Sequence, residues 1–270
     1  MDLQQIGIGH PAVKDVLAIQ RNTAPNRFGL VVAEGLWAAK VVLEAGLRVD
    51  TFYYCPELVR SDDARATADA LIRNARRSFE TSDKTMARMS ERGEPDGLLA
   101  TVQMPVWEPD DITFGDQALV LVSDGIEIPG NLGTLIRTMD GVNADLLVLT
   151  NRRTRMSHPK VFRGSQGMSV VVPHVEFGVV EDAVEWLTRN RFAVFLADTD
   201  DSVNYCRANW ADRAAIVVGS ERYGISPEWY KHGFTAVGVP MLGRADSLNV
   251  SVSASVLLYE ARAHQADWRR

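Results

Sequence analysis

The sequence predicts an α/β protein with a smaller α/β domain over residues 1–106, a linker over 107–117 and a larger α/β domain over 118–270. Three observations carry this. Apolar runs of strand length alternate with stretches of helical period along the whole chain, the pattern of successive strand–helix units. The runs beyond residue 118, such as Ala118-Leu119-Val120-Leu121-Val122, are continuously apolar, as parallel strands covered on both faces are. Between the two halves, Pro105 to Asp116 holds two prolines, one glycine and four acids, a composition that punctuates rather than continues structure.

In the first half, residues 10–20 read as a short helix and 28–33 as a strand. Glu34-Gly35 then opens an amphipathic helix (Leu36, Ala39, Lys40, Leu43) that Gly46 stops. Residues 49–55 are strand-like, 62–75 helical, 77–80 a short strand, 83–90 a helix and 98–104 a closing strand. In the second half, strands fit 118–123, 144–149, 169–172, 192–197, 214–218 and 236–239. Helices fit 131–142, 179–190, 226–232 and 247–264.

Of the 270 residues 46% are hydrophobic and 24% charged, so a core can form without staples. The net charge of −6 argues against coating nucleic acid through bulk charge but leaves room for a local basic patch. Cys55 and Cys206 lack metal or redox spacing and read as reduced packing residues. Residues 1–10 lack the pattern of a secretory signal and no apolar run reaches membrane-spanning length, so the expected location is cytoplasmic, with no membrane partner.

Three polar clusters follow strands of the second half. Pro129-Gly130-Asn131-Leu132-Gly133 makes a strand-to-helix turn with Asn131 suited to an N-cap, and Arg137 lies further along the same helix. Gly219-Ser220-Glu221-Arg222-Tyr223-Gly224 places a carboxylate just past a buried strand end, where open α/β sheets bind ligands. Val239-Pro240-Met241, followed by Ser247-Leu248-Asn249-Val250-Ser251, stops a strand at a proline and opens a helix at Ser247. None is a dinucleotide or P-loop motif. A fourth segment, Asn151 to Gly167, gathers Arg152, Arg153, Arg155, Lys160 and Arg163, the composition of a phosphate-contacting loop. His158 and His174 have no partner at motif spacing and read as structural.

In order, Asn131-x-Gly133-x-x-x-Arg137, Gly219-Ser220-Glu221-x-x-Gly224 and Val239-Pro240-Met241 with Ser247-Leu248-Asn249-Val250-Ser251 resemble the three signature motifs of the SpoU/TrmH family, and Arg163-x-Ser165-x-Gly167 fits between the first two. The first hundred residues, with Val32-Ala33-Glu34-Gly35 and Asp96-Gly97-Leu98-Leu99-Ala100, resemble the ribosomal-protein-like substrate-binding domain that precedes the catalytic domain in many members. The resemblance implies a knotted methyltransferase domain, with a deep trefoil knot in the last third, and a homodimer with active sites at the subunit boundary. It implies methyl transfer from S-adenosylmethionine to a ribose 2′-hydroxyl of structured RNA, with 23S ribosomal RNA and antibiotic resistance as the finer expectation. Transfer RNA is the alternative substrate, and a non-catalytic RNA binder the alternative role.

By the same resemblance Gly219, Val239, Met241, Ser247 and Leu248 hold the cofactor and Asp198 borders it, with no metal required. Arg137 meets the 2′-hydroxyl, Glu221 orients Arg137, and Asn131, Ser247 and Asn249 fix the site by hydrogen bonds. Lys14, Arg21, Arg27, the basic segment and Ser165 grip RNA. Arg222 departs from the glycine that many members carry there.

Overall fold

The computed structural model describes residues 3–21, 29–200 and 202–266. The chain divides into two compact units: Met1–Pro105 together with Ser157–Val171, and Val106–Met156 together with Val172–Arg270. The basic segment is therefore split. Its front half stays with the second unit and its back half, expected in the 118–270 domain, belongs to the first.

The first unit begins with β1 (Gln4–Ile6), α1 (Pro11–Arg21), β2 (Leu30–Glu34), α2 (Leu36–Glu44), β3 (Val49–Tyr54), α3 (Asp62–Asn74), β4 (Arg77–Thr81), α4 (Asp83–Met89) and β5 (Leu98–Gln103). Its sheet runs β1-β4-β3-β5-β2. β5 is antiparallel to both neighbours, the other pairs parallel. Two helices start where the sequence places a serine: Ser61 Oγ accepts from Ala64 N–H at 3.1 Å and Ser82 Oγ from Thr85 N–H at 3.3 Å. The core gathers Val13, Val16, Tyr53, Met86, Met89 and Leu99.

The chain continues with β6 (Ala118–Asp124), α5 (Pro129–Gly141) and β7 (Leu146–Thr150), then returns to the first unit for α6 (Pro159–Gly164). It goes on through β8 (His174–Glu176), α7 (Val180–Arg189), β9 (Ala193–Ala197), β10 (Val203–Asn204), β11 (Arg213–Val218), α8 (Pro227–Tyr230), β12 (Thr235–Gly238) and α9 (Val250–Gln265). The second sheet has the order β10-β12-β9-β11-β6-β7-β8 and every pair is parallel, as the apolar runs predict. All seven residues of β6 are buried. Trp186 and Trp229 fill the layer on one face of that sheet.

Several expectations need correction. Residues 169–172 form a short turn, not a strand: Gln166 and Gly167 take positive φ values of 54° and 87° and bend the chain, and the strand forms later at β8. The edge strands β1 and β10 and the helix α6 were not expected. α9 opens at Val250 rather than Ser247, with Asn249 as its cap. α5 starts at Pro129, which puts Asn131 inside the first turn instead of at the N-cap. Among the described residues no helix is long and apolar enough to cross a membrane.

Candidate active site

In the second sheet β6 is followed outward by β7 and β8, whereas its other neighbour β11 leads toward β9 and β12. Connections therefore diverge on the two sides of the β6–β11 pair, and a crevice opens beyond the C-terminal strand ends at such a point. A cleft of about 550 Å³ lies there, within the range of ligand-sized sites. Its walls come from the turns after β9, β11 and β12, from the start of α5 and from the start of α9. The cleft brings together Asn131, Asp198, Gly219, Glu221, Val239, Met241, Ser247, Leu248 and Asn249. Three clusters far apart in sequence form one site.

The loop after β11 is closed on itself. Ser220 N–H donates to Gly224 O at 2.9 Å, and Gly224 N–H to Ser220 O at 3.0 Å. Gly224 takes φ +70°, and a Cβ on Gly219 would sit 2.0 Å from the Gly224 carbonyl carbon. Only glycine fits at 219, because the obstacle is backbone and cannot rotate away. Arg222 turns outward with its guanidinium 5.1 Å from the centre of the Tyr223 ring, so the loop closes without a glycine at 222.

That loop aims Glu221 at the opening of α5. One carboxylate oxygen accepts from Asn131 Nδ2 at 2.7 Å and from Ile128 N–H at 3.3 Å, and the other accepts from Glu127 N–H at 3.1 Å. An ionised carboxylate only accepts, so Asn131 must present its amino group here and its carbonyl oxygen elsewhere. That oxygen accepts from Asn249 Nδ2 at 3.3 Å, and Asn249 Oδ1 is left to cap α9 through Ser251 N–H at 3.0 Å. One carboxylate thus fixes the orientation of two amides and a helix start. Within one chain it makes no bond to Arg137. Glu221 reaches the first turn of α5, and Arg137 lies six residues beyond Asn131, about 9 Å along the helix axis.

Burial acts to raise the Glu221 pKa, but hydrogen bonds from Asn131 and backbone amides outweigh it and hold the carboxyl below its usual value. The sign follows from linkage. A carboxyl depressed in the native state adds stability that is complete above its unfolded value, about 4.3, and disappears as pH falls through the native one. Glu221→Gln is therefore expected to flatten the acid limb of stability against pH below about pH 4.3, measured by urea unfolding. An unchanged acid limb would reject the role given to this carboxylate.

Asp198, just past β9, accepts from the Tyr230 hydroxyl and from Asp200 N–H at 3.1 Å, which fixes a carboxylate at the cleft wall. Burial and then this carboxylate push the Tyr230 phenol well above its usual pKa. Nearby, Gly238 lets β12 pass Ser202, since a Cβ there would lie 2.2 Å from Ser202 Oγ.

Sequence reasoning missed Asp124. It ends β6 and is buried, with one oxygen accepting from Thr150 Oγ1 at 2.9 Å and Asn151 Nδ2 at 2.8 Å and the other from Ser226 N–H at 2.7 Å. It joins the ends of β6 and β7 to the segment following the Gly219–Gly224 loop. The only local signal was an acid closing an otherwise apolar run.

The remaining predicted residues scatter. Arg137 is exposed on α5, outside the lining of the cleft, and makes no hydrogen bond or ion pair among the described residues. Arg152 pairs with Glu176 at 2.6 Å, Arg153 is exposed and Arg155 half-buried. Arg21, at the end of α1, and Lys160 are exposed, and Arg163 pairs with Glu91. Ser165 does not face solvent. It is fully buried, donates to Phe162 O at 3.0 Å and accepts from Ser169 N–H at 3.1 Å, so its polarity is used up in a turn. Arg27 lies outside the described residues. His158 caps α6, its Nδ1 accepting from Lys160 N–H at 3.1 Å. His174 is held by burial at a pKa of about 4 against Trp107.

Residues 118–259 match the SpoU rRNA Methylase family and residues 10–100 the MRM3-like substrate binding domain. The chain is 27% identical over 242 residues to a 23S rRNA (uridine(2479)-2′-O)-methyltransferase of Streptomyces viridochromogenes, covering 87% of this chain and 83% of that one. A solved RNA 2′-O ribose methyltransferase superposes with a TM-score of 0.81 at 27% identity, over 98% of this chain and 99% of that one. The fold is also that of an AdoMet-bound rRNA methyltransferase from Sinorhizobium meliloti, with a TM-score of 0.87 at 24% identity over 97% and 98% of the two chains. The chain belongs to the SpoU rRNA methylase family of S-adenosylmethionine-dependent RNA 2′-O-methyltransferases.

Proposed function

We propose that this protein methylates a ribose 2′-hydroxyl of 23S ribosomal RNA in the cytoplasm, and that the modification protects the ribosome from an antibiotic. The observation that carries the methyl-transfer reading is the meeting of Asn131, the Gly219 loop and the Ser247–Asn249 segment in one cleft. The relation to a 23S enzyme at 27% identity supports the choice of RNA.

The residues of the cleft suit S-adenosylmethionine. Met241, Leu248 and Leu257 give apolar walls for a flat base, while Ser247 and the backbone beside Gly219, Val239 and Leu248 offer directional polar groups. Asp198 supplies a fixed acceptor for hydroxyls or an ammonium. The bound cofactor supplies an electrophilic methyl group. What the chain contributes is placement, since alignment of two reactants alone removes a large part of a barrier. Asn131 and Asn249, fixed by Glu221, hold the mouth of the cleft in one arrangement.

Arg137 is the group assigned to the ribose. Arginine does not lose its proton in proteins, so its role is to bind the neighbouring phosphate and stabilise the developing alkoxide rather than to act as a base. The reading includes a homodimer with the cleft at the subunit boundary, which accounts for an Arg137 standing outside the lining of its own cleft. Exposed Tyr223, Leu242, Val252 and Tyr259 in the same unit support such an interface. It also includes the family's trefoil knot in the last third of the chain. Arg21, Arg27, Arg152, Arg153, Arg155, Lys160 and Arg163 serve as phosphate contacts.

Incubation with methyl-labelled S-adenosylmethionine and total RNA is the test. Label is expected in the large ribosomal RNA, within a dinucleotide that resists alkali because a methylated 2′-oxygen cannot attack its phosphate. Label confined to transfer RNA, on a base, or absent would overturn the assignment.

A further inference from the structure

A second cavity, of about 420 Å³, lies within the first unit, between β2, the start of α2, the Glu91–Arg92 turn and α6 with its following turn. Its walls are apolar at Val32, Ala38, Pro159 and Phe162. At its edge stands Trp37, 62% exposed, a large ring left in water where burial would be worth more. The ring is not adrift. Its Nε1 donates to Gln166 O at 3.1 Å, which fixes the indole relative to the cavity. A rigid, exposed aromatic face over a ligand-sized recess is what stacking against a flat heterocycle requires.

The charges of the cavity select among flat ligands. Arg163 is taken by Glu91 and Arg92 by Asp96 at 3.2 Å, so neither cation is free for a phosphate. Of the polar groups that line the cavity, Gln20 gives its amide to Met89 O, and Glu34 is the one that carries a negative charge free of an ion pair. It accepts from the Ser90 hydroxyl and from Glu91 N–H at 3.1 Å, and each oxygen keeps a further lone pair. Burial raises its pKa above the usual glutamate range, against the lowering effects of Ser90 and Arg92. The ligand that answers both needs is neutral, planar and rich in N–H donors on one edge.

We infer that this cavity receives a single unstacked RNA base, guanine by preference, stacked on Trp37 with its N1–H and amino group donating to Glu34. This deepens the RNA-methylating reading and rests on it. Adenine and uracil present a carbonyl or ring-nitrogen acceptor beside their single Watson–Crick donor and cannot pair two N–H groups with one carboxylate. The cavity would hold a splayed-out nucleotide of a folded substrate while the rest of the RNA is bound through its backbone.

The test uses the full protein without cofactor and three RNA heptamers, UUUGUUU, UUUAUUU and UUUUUUU. The indole N–H resonance of Trp37, identified by its loss in Trp37→Phe, reports occupancy. UUUGUUU is expected to shift it and to bind several fold more tightly than the other two. Trp37→Ala is expected to weaken that binding about tenfold, and Trp37→Phe to retain most of it. Glu34→Gln is expected to level guanine with adenine while keeping the stacking response. Equal response to all three heptamers, or none at millimolar RNA with the circular dichroism spectrum unchanged, overturns the inference. Because no turnover is needed, the outcomes separate. A silent Trp37 in a protein that methylates RNA sinks the pocket alone, and a guanine-selective Trp37 in a protein that methylates nothing sinks the activity and leaves the pocket standing.

Discussion

Arg137→Ala is expected to lose methyl transfer by about 10²–10³-fold or more while S-adenosylmethionine affinity stays within a few fold and the unfolding midpoint does not move. The combination is the informative part. Arg137 is exposed and bonded to nothing among the described residues, so its removal strands no partner and opens no cavity. It lies outside the cleft lining, so cofactor contacts survive. Loss of rate with intact binding and folding then assigns the guanidinium to the reacting ribose and its phosphate. Single-turnover assays, calorimetry with the cofactor and thermal unfolding together make the check. Wild-type turnover would remove Arg137 from the chemistry.

Asp124→Ala should act in the opposite way, through structure. The substitution strands the buried Thr150 Oγ1 and the half-buried Ser226 N–H, while Asn151 Nδ2 keeps Ser226 Oγ at 3.3 Å. Unmet buried donors cost about 1–3 kcal/mol each, a large share of a typical domain's stability. The urea midpoint should fall accordingly. Cofactor affinity should fall with it, because Ser226 follows directly on the loop that carries Gly219. Asp124→Asn keeps one acceptor oxygen and should recover part of both losses. An Asp124→Ala protein with an unchanged midpoint would refute this account.

How far the sequence could be read depended on the range of the interaction that decides each feature. The strands β6, β7, β9, β11 and β12 were legible because continuous burial writes itself as a continuous apolar run. The three polar turns were legible because glycine, proline and asparagine mark backbone geometry locally. β1 and β10 were not, since strands of three and two residues carry no period to detect. Residues 169–172 have the composition of a strand, and the two positive-φ residues before them redirect the chain into a turn.

At the site, residue types were legible but partners were not. Glu221 was matched with Arg137 through the family resemblance, whereas within one chain the fold gives it the amide of Asn131 and the open amides of α5, a choice made by where β11 ends relative to β6. Ser165 drew attention for its hydroxyl, which the Phe162 carbonyl consumes. Asp124 drew none, because nothing local distinguishes it from any acid that ends a strand.

The excursion of the chain through α6 has a practical corollary for anyone who wishes to transplant the front module. Splicing at the proline-rich connection near residue 106 would leave Val161 and Phe162, both buried in that module's own packing, on the wrong side of the cut. A chimera made there would inherit a hydrophobic hole and an unshielded β2. Grafts that carry residues 157–171 across as a second insert should behave as intact, exchangeable parts.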